Sequence, residues 1–395
     1  MNYVFSDKVS GLQASAIREI LKFCAFPDVI SFAAGNPAPE AFPTKVLAEL
    51  SDSVMQTDPI LALQYNITEG YTPLRDALKS WMGSRHCFEA GADDLIITSG
   101  AQQANELACK VLCNEGDTLI CESPSFIGSL NAFRSYHVNL VGVEMEEDGI
   151  RLDLLEQALK DAKKAKLIYL IPNFQNPTGR TMSWEKRKAV YALAQKYNAV
   201  ILEDNPYGDL RFAGEDIPAI KALDTDGRVI YTGTFSKILA PGYRLGWVCA
   251  DDEILAKYNF MEQAASLQAS TVGQMETSKW IDMFDLDAHV NTIRECYRKR
   301  RAVMLETLAK ELPEPCTFTR PEGGLFAWVV LPEYMDAKDL QMKCLAKKVA
   351  FVPGGSFFPN GGHDNTLRLN YSCMPEEKIV QGITALCQTI RENLK

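Results

Sequence analysis

The chain has few histidines, no long apolar run and no excess of positive charge. His86, His137, His289 and His363 are its only histidines in 395 residues, and they stand in no metal-like cluster. No apolar run approaches the roughly 18 residues of a membrane-spanning helix. The opening Met1-Asn2-Tyr3-Val4-Phe5-Ser6-Asp7-Lys8 lacks the charged-then-apolar layout of a signal peptide. A net charge of −10 removes the expectation of a nucleic-acid partner. Cysteine is not scarce, but the count of eleven is odd and contains no C-x-x-C pair. Cys109 and Cys113 lie four apart on an expected helix. Free thiols in a reducing cytoplasm fit this spacing better than disulfides or zinc. No internal repeat or low-complexity linker is present.

What remains is the composition of a soluble globular enzyme, 47% apolar and 23% charged. The length allows one large domain and a smaller one. From about residue 72 to 250, strand-like and helix-like segments alternate. Examples are Leu119 to Cys121, Leu140 to Val143, the helical Leu152 to Lys164 and the amphipathic Trp184 to Tyr197. That alternation predicts an α/β fold with a mostly parallel sheet covered by helices. A long charged helix over Val290 to Glu311 leads to strand-like Gly323 to Val330 and Thr366 to Tyr371. These read as parts of a second, smaller α+β domain, joined by the turn-rich N-terminus. The expected division is 46–288 for the large domain, and 1–45 with 289–395 for the small one.

One stretch points to chemistry, Thr234-Phe235-Ser236-Lys237-Ile238-Leu239-Ala240-Pro241-Gly242-Tyr243-Arg244-Leu245-Gly246. A lysine becomes a useful nucleophile when cations or desolvation lower its pKa. The flanking hydroxyls and the guanidinium of Arg244 suit a phosphate monoester. A cofactor with both an aldehyde and a phosphate is pyridoxal 5′-phosphate (PLP), which forms a Schiff base with such a lysine. The alternative is a surface lysine on a loop.

Three further segments supply other needs of the same cofactor. Ala199-Val200-Ile201-Leu202-Glu203-Asp204 reads as a buried strand ending in acid, where open α/β sheets place ligands. Asp204 there can keep a pyridine nitrogen protonated; otherwise it is a turn aspartate before Asn205-Pro206. Tyr207 can donate to the cofactor phenolate, or simply pack on the loop. Ile168-Tyr169-Leu170-Ile171-Pro172-Asn173-Phe174-Gln175-Asn176-Pro177-Thr178-Gly179 runs from strand into turn, and would present the Asn176 amide to the same phenolate. Leu95-Ile96-Ile97-Thr98-Ser99-Gly100-Ala101-Gln102-Gln103-Ala104 is a strand, a small-residue turn and a helix start, hence an anion site. It matches neither G-x-G-x-x-G nor G-x-x-x-x-G-K-[ST], so a dinucleotide fold or a P-loop is not supported.

Taken together and in this order, the four segments resemble the fold-type I PLP aminotransferases of class I/II over almost the whole chain. The wording Gly233-Thr234-Phe235-Ser236-Lys237 and Pro241-Gly242-Tyr243-Arg244-Leu245-Gly246-Trp247 is most similar to the 2-aminoadipate aminotransferases and the effector domains of MocR-type regulators. The resemblance implies that Lys237 carries the Schiff base and shuttles the proton. It pairs Asp204 with the pyridinium and sets Asn176 and Tyr207 on the phenolate oxygen. It assigns the phosphate to Ser99, Gly100, Ala101, Gln102, Ser236 and Arg244, with Thr234 standing where many members have Ser or Gly. Phe126, in Glu122-Ser123-Pro124-Ser125-Phe126, would stack on the ring without the hydroxyl that many relatives carry there.

The resemblance also speaks to substrate and partner. Arg368, in Thr366-Leu367-Arg368-Leu369-Asn370-Tyr371, would bind the α-carboxylate as a planar fork. Gly35 and Asn36, before Pro37, match a loop that meets the same carboxylate, and Asn173 is a further candidate. Tyr65, in Gln64-Tyr65-Asn66, matches a tyrosine that reaches the phosphate of the neighbouring subunit, which implies a homodimer with shared active sites. Arg18 matches a helix arginine used for a distal carboxylate in some relatives, or else is a surface arginine. The implied reaction is ping-pong transfer of an amino group from an L-amino acid to a 2-oxo acid, 2-oxoglutarate being the usual acceptor. Glutamate, 2-aminoadipate, aromatic and branched amino acids are the expected donors. The rival readings are a PLP-dependent β-elimination or decarboxylation, a ligand-sensing regulator and a silent PLP-binding scaffold. The regulator would carry an N-terminal DNA-binding helix-turn-helix, for which the expected match leaves no room.

Overall fold

The structure, a computed structural model, describes residues 1, 3–10, 28–85, 94–162 and 165–395. Its largest element is an eight-stranded sheet drawn entirely from residues 94–250. In chain order the strands are β1 (Ile30–Ser31), β2 (Asp94–Thr98), β3 (Thr118–Ser123), β4 (Asn139–Glu146), β5 (Gly149–Ile150), β6 (Ala165–Leu170), β7 (Val200–Asp204), β8 (Val229–Thr234) and β9 (Gly246–Ala250). The spatial order of the large sheet is β2-β9-β8-β7-β6-β3-β4-β5. Strands β8, β7, β6, β3 and β4 are mutually parallel, whereas β9 runs against both β8 and β2. The mostly parallel α/β sheet predicted from the alternation is therefore present. The central strands are rich in apolar and β-branched residues, as strands covered by helices on both faces are. Val229 to Thr234 is buried at every position.

The helices between them carry ordinary end signals. Ser183 caps the helix Trp184–Tyr197 by accepting from the Lys186 N–H, and Asn198 ends it in the left-handed region at φ 52°. The expected Leu152 to Lys164 helix ends earlier, spanning Leu152–Asp161. The long charged helix spans Leu286–Glu311, and Asp285 caps it through the Ala288 N–H.

Beyond it lie β10 (Thr317–Phe318), β11 (Phe326–Val330), β12 (Val349–Ala350), β13 (Val352–Pro353) and β14 (Thr366–Asn370). Strands β10-β11-β14-β13 form an antiparallel sheet, and β1 pairs with β12. The expected strand from Gly323 begins only at Phe326, because Gly324 takes φ +74°, outside extended geometry. One continuous hydrophobic core, containing Trp247, Tyr297 and Leu369, joins the large sheet, the long helix and the small sheet.

This topology gathers residues at one edge. The C-terminal ends of neighbouring β8, β7, β6 and β3 lead to Lys237, Asp204, Asn176 and Phe126 respectively. Strand β9 starts where those strands end, with Gly246 opposite both Thr98 and Thr234. Arg244, two residues earlier, therefore arrives beside the Ser99-Gly100 turn and the Ser236-Lys237 loop.

Candidate active site

A cavity of about 400 Å³ opens at that edge. Its walls include Lys237, Asp204, Asn176, Tyr207 and Arg368. Gly35, Asn36, Ala101, Gln102, Phe126, Thr234, Ser236 and Arg244 line it as well.

Asp204 lies buried at the end of β7 with three donors turned on it. Its Oδ2 accepts from Tyr169 Oη (2.7 Å) and Asn105 Nδ2 (2.8 Å), and its Oδ1 from Thr232 Oγ1 (3.3 Å). Burial pushes the carboxyl up to about 6, and the three hydrogen bonds pull against that rise. Lys237 donates from Nζ to the Gly35 carbonyl at 2.8 Å. Although the residue is only partly buried, its amine is enclosed. That enclosure, with the positive Arg368 and Arg244 nearby, pulls the ammonium down to about 8.

Asn176 joins two other groups. Its Nδ2 donates to Tyr207 Oη (3.3 Å), and its Oδ1 accepts from Arg368 Nη1 (2.9 Å). Arg368, on β14, also donates from Nη2 to the Ala33 carbonyl (2.7 Å). Its guanidinium lies 4.2 Å from the Phe326 ring centroid and 5.1 Å from that of Phe357. Its Nε is buried with no hydrogen-bond partner among the described residues. Burial lowers the guanidinium to about 10, so it stays charged near neutrality.

At the other side, Gly100 caps the helix Ala101–Leu112 at φ +83°. A Cβ there would stand 2.8 Å from Arg244 Nη2, and one on Gly246 would stand 2.8 Å from the Ala101 nitrogen. Only glycine permits both the backbone turn and this close approach. Among the described residues the Arg244 guanidinium hydrogen-bonds only to carbonyls, those of Pro241 and Ser99, both at 3.3 Å. The Thr234 hydroxyl donates to the Leu245 carbonyl and lies 3.0 Å from Ser236 Oγ.

The whole chain now has clear relatives. Residues 27–386 match the model of the family described as aminotransferase class I and II. The chain belongs to the class I and II aminotransferases. It is 44% identical to an aromatic-amino-acid aminotransferase of Thermococcus litoralis, over 99% of this chain and 95% of that protein. A Pyrococcus horikoshii kynurenine aminotransferase, solved in complex with PMP, is 41% identical at TM-score 0.96, covering 99% of this chain and 98% of that one. The α-aminoadipate aminotransferase of Thermus thermophilus, solved with N-(5′-phosphopyridoxyl)-L-leucine, is 36% identical at TM-score 0.91, covering 98% and 97%. The aminotransferase is PLP-dependent and has the fold of that class.

The cavity fits that cofactor on its own chemistry. Among the described residues no carboxylate pairs with Arg244, which leaves a cation beside hydroxyls and a helix N-terminus for the phosphate. A buried carboxylate and an enclosed amine border the same space.

Some expected site residues do not line this chain's own cavity. Ser99 and Gly100 back Arg244 rather than line the cavity. Tyr65 is 76% exposed and also lies outside the lining. Asn173, expected at the substrate carboxylate, has other partners here. Its Nδ2 donates to Asn205 Oδ1 (2.9 Å), its Oδ1 accepts from Arg187 Nη2 (2.6 Å), and it does not line the cavity. Arg18 lies outside the described residues. Sequence reasoning missed Asn105, Ile171, Pro206 and Phe326, which line the cavity. Asn105 had a signal, since it follows Gln102 by three on one helix and shares its face.

Proposed function

We propose that the aminotransferase moves the amino group of aromatic amino acids and 2-aminoadipate to 2-oxoglutarate, with Lys237 as its catalytic amine. The carrying observation is that the amine of Lys237 and the carboxylate of Asp204 border one cavity. The names of the Thermococcus, Pyrococcus and Thermus relatives support the choice of donors. The apolar Phe126, Ile171 and Phe326 in the cavity wall suit a large side chain. Acidic donors would need a distal cation, for which Arg18 is the candidate.

Bound PLP supplies an aldehyde and a ring that accepts electrons. Lys237 Nζ would hold the aldehyde of that group at rest and, once displaced by the substrate amine, would take up and return the substrate α-proton. A pKa near 8 leaves a useful share of free base at neutrality. Asp204 holds negative charge against the ring nitrogen. Asn176 and Tyr207 donate to the phenolate oxygen. Thr234, Ser236, Ala101 and Gln102, with Arg244 held by the Ser99-Gly100 turn, take the phosphate, and Phe126 covers the ring. Arg368 has its Nε free and its two terminal nitrogens braced by Asn176 and Ala33, so it takes the α-carboxylate in a fixed plane. Gly35 and Asn36 close over that end.

We further propose a homodimer in a reducing cytoplasm, with the 46–288 region as the cofactor-binding domain. Ile60, Leu63, Tyr65 and Ile67 form an exposed apolar segment, which supports a second copy packed there with Tyr65 reaching the partner's phosphate site. The nine described cysteines are all free, which fits the compartment. The test is steady-state kinetics with PLP, an amino-acid panel and 2-oxoglutarate. The proposal predicts glutamate formation fastest from aromatic donors and 2-aminoadipate; fastest turnover of small aliphatic donors would overturn it.

A further inference from the structure

Glu122 is a buried acid that none of the steps above uses. It is the penultimate residue of β3 and has no exposed surface. Its Oε2 accepts from the backbone N–H of Ile171 (3.0 Å) and from Gln175 Nε2 (3.4 Å). The same Gln175 nitrogen donates to the Pro124 carbonyl at 2.7 Å. Gln175 Oε1 accepts from the Thr178 N–H (3.0 Å) and the Thr178 hydroxyl (2.7 Å). Glu122 and Gln175 thereby tie the turn that carries Phe126 to the turn that carries Asn176. Asn176 in turn sets both Tyr207 and Arg368.

The charge state follows from the surroundings. Glu122 Oε1 is buried with no hydrogen-bond partner among the described residues. Among the described residues no lysine or arginine pairs with it. The nearest titratable groups are the Asp204 carboxylate from β7, the Tyr169 phenol from β6 and the Cys121 thiol on its own strand, but Cys121 and its registered partner Tyr169 point to the other face of the sheet. An ionised carboxylate would leave an oxygen bare in a buried enclosure with no cation paired to it, which is a costly arrangement.

We infer that Glu122 is a positioning residue that works as an uncharged carboxylic acid, locking the Phe126 turn to the Asn176 turn. Burial pushes its carboxyl up to about 8, against the pull of the Ile171 and Gln175 hydrogen bonds, in keeping with that state. The inference deepens the reading of the site, because its kinetic consequence rests on the roles given to Asn176 and Phe126.

Two variants of the PLP-loaded protein test it. Glu122→Met keeps the bulk but removes the acceptor. It is expected to lower kcat at least about tenfold and to shift the absorbance of the bound cofactor, with Glu122→Gln restoring both to within about threefold of the parent. Unchanged kcat and spectrum in Glu122→Met would overturn the positioning role. The second arm uses only Glu122→Gln and measures Tm against pH. A carboxyl that stays protonated when folded but ionises when unfolded costs the parent stability as pH rises from the ordinary 4.5 to about 8. The Tm advantage of Glu122→Gln should therefore widen by several degrees between pH 5 and pH 8. A flat or narrowing difference would mean an ionised Glu122 and would overturn the inference. This arm stands apart from the roles of Asn176 and Phe126, so failure there is distinguishable from failure of the functional reading.

Discussion

Tyr169 sets its phenol 2.7 Å from Asp204 Oδ2, deep in the sheet and one strand away. It shares that oxygen with Asn105, and the two donors face a carboxyl that burial alone would drive toward its neutral form. On the proposed reading, the acid set against the cofactor ring is thus kept ionised by its protein neighbours.

Replacing Tyr169 by Phe removes the shorter of these bonds. A hydrogen bond to a charged group contributes about 1.5–3 kcal/mol, so kcat should fall about tenfold or more. The stability cost should depend on pH in a definite direction. Asp204 has a folded-state pKa raised from 3.8 to about 6, so its contribution is largest below 3.8 and is lost as pH rises through 6. Tyr169→Phe raises the folded value further. Its stability deficit, followed by denaturant unfolding of the cofactor-free protein, should be larger at pH 7 than at pH 4.

Arg368→Ala should reduce kcat/KM for amino acids about a hundredfold, the loss of a two-pronged charged contact of roughly 2–3 kcal/mol. Arg368→Lys should recover only part of this, because an ammonium cannot bond Asn176, Ala33 and a carboxylate in one plane. Steady-state kinetics on both variants checks the ordering; equal activity of the two would contradict it.

Gly100→Ala places a methyl where φ is +83° and Arg244 Nη2 is 2.8 Å away. Strain of about 1–3 kcal/mol should appear as weaker PLP binding, an increase in Kd of roughly tenfold, measured by fluorescence titration. Unaltered cofactor affinity would remove this turn from the phosphate site.

Leu63→Glu puts a charge into the exposed apolar segment around Tyr65. Light scattering should show a loss of dimer, and activity should fall with it. A variant that remains dimeric and fully active would place the subunit contact elsewhere.

Most of the sheet and much of the candidate site could be read from the chain, and the reasons are local. Asp204 ends an apolar strand, and Lys237 follows a strand whose end is marked by hydroxyls; both signals lie within ten residues. Arg368 needed more than its strand alternation, because nothing near it in sequence shows that its guanidinium meets Asn176. The surroundings of Asn173 were hidden for the same reason. It shares a turn with Asn176, but Arg187 and Asn205 decide where its amide points. Tyr169 looks like any aromatic in a buried strand, and only the fold brings it to Asp204. Glu122 reads as a strand-end acid, and only full enclosure sets it apart.

The central claim is that the amine of Lys237 is the group that bonds the cofactor aldehyde. Reducing the PLP-loaded protein with borohydride fixes that bond, and peptide mass spectrometry then locates it. The account predicts one phosphopyridoxyl group per chain, on Lys237, and loss of both the label and the visible cofactor absorbance in Lys237→Ala. A label on another lysine, or turnover retained by Lys237→Ala, would contradict it.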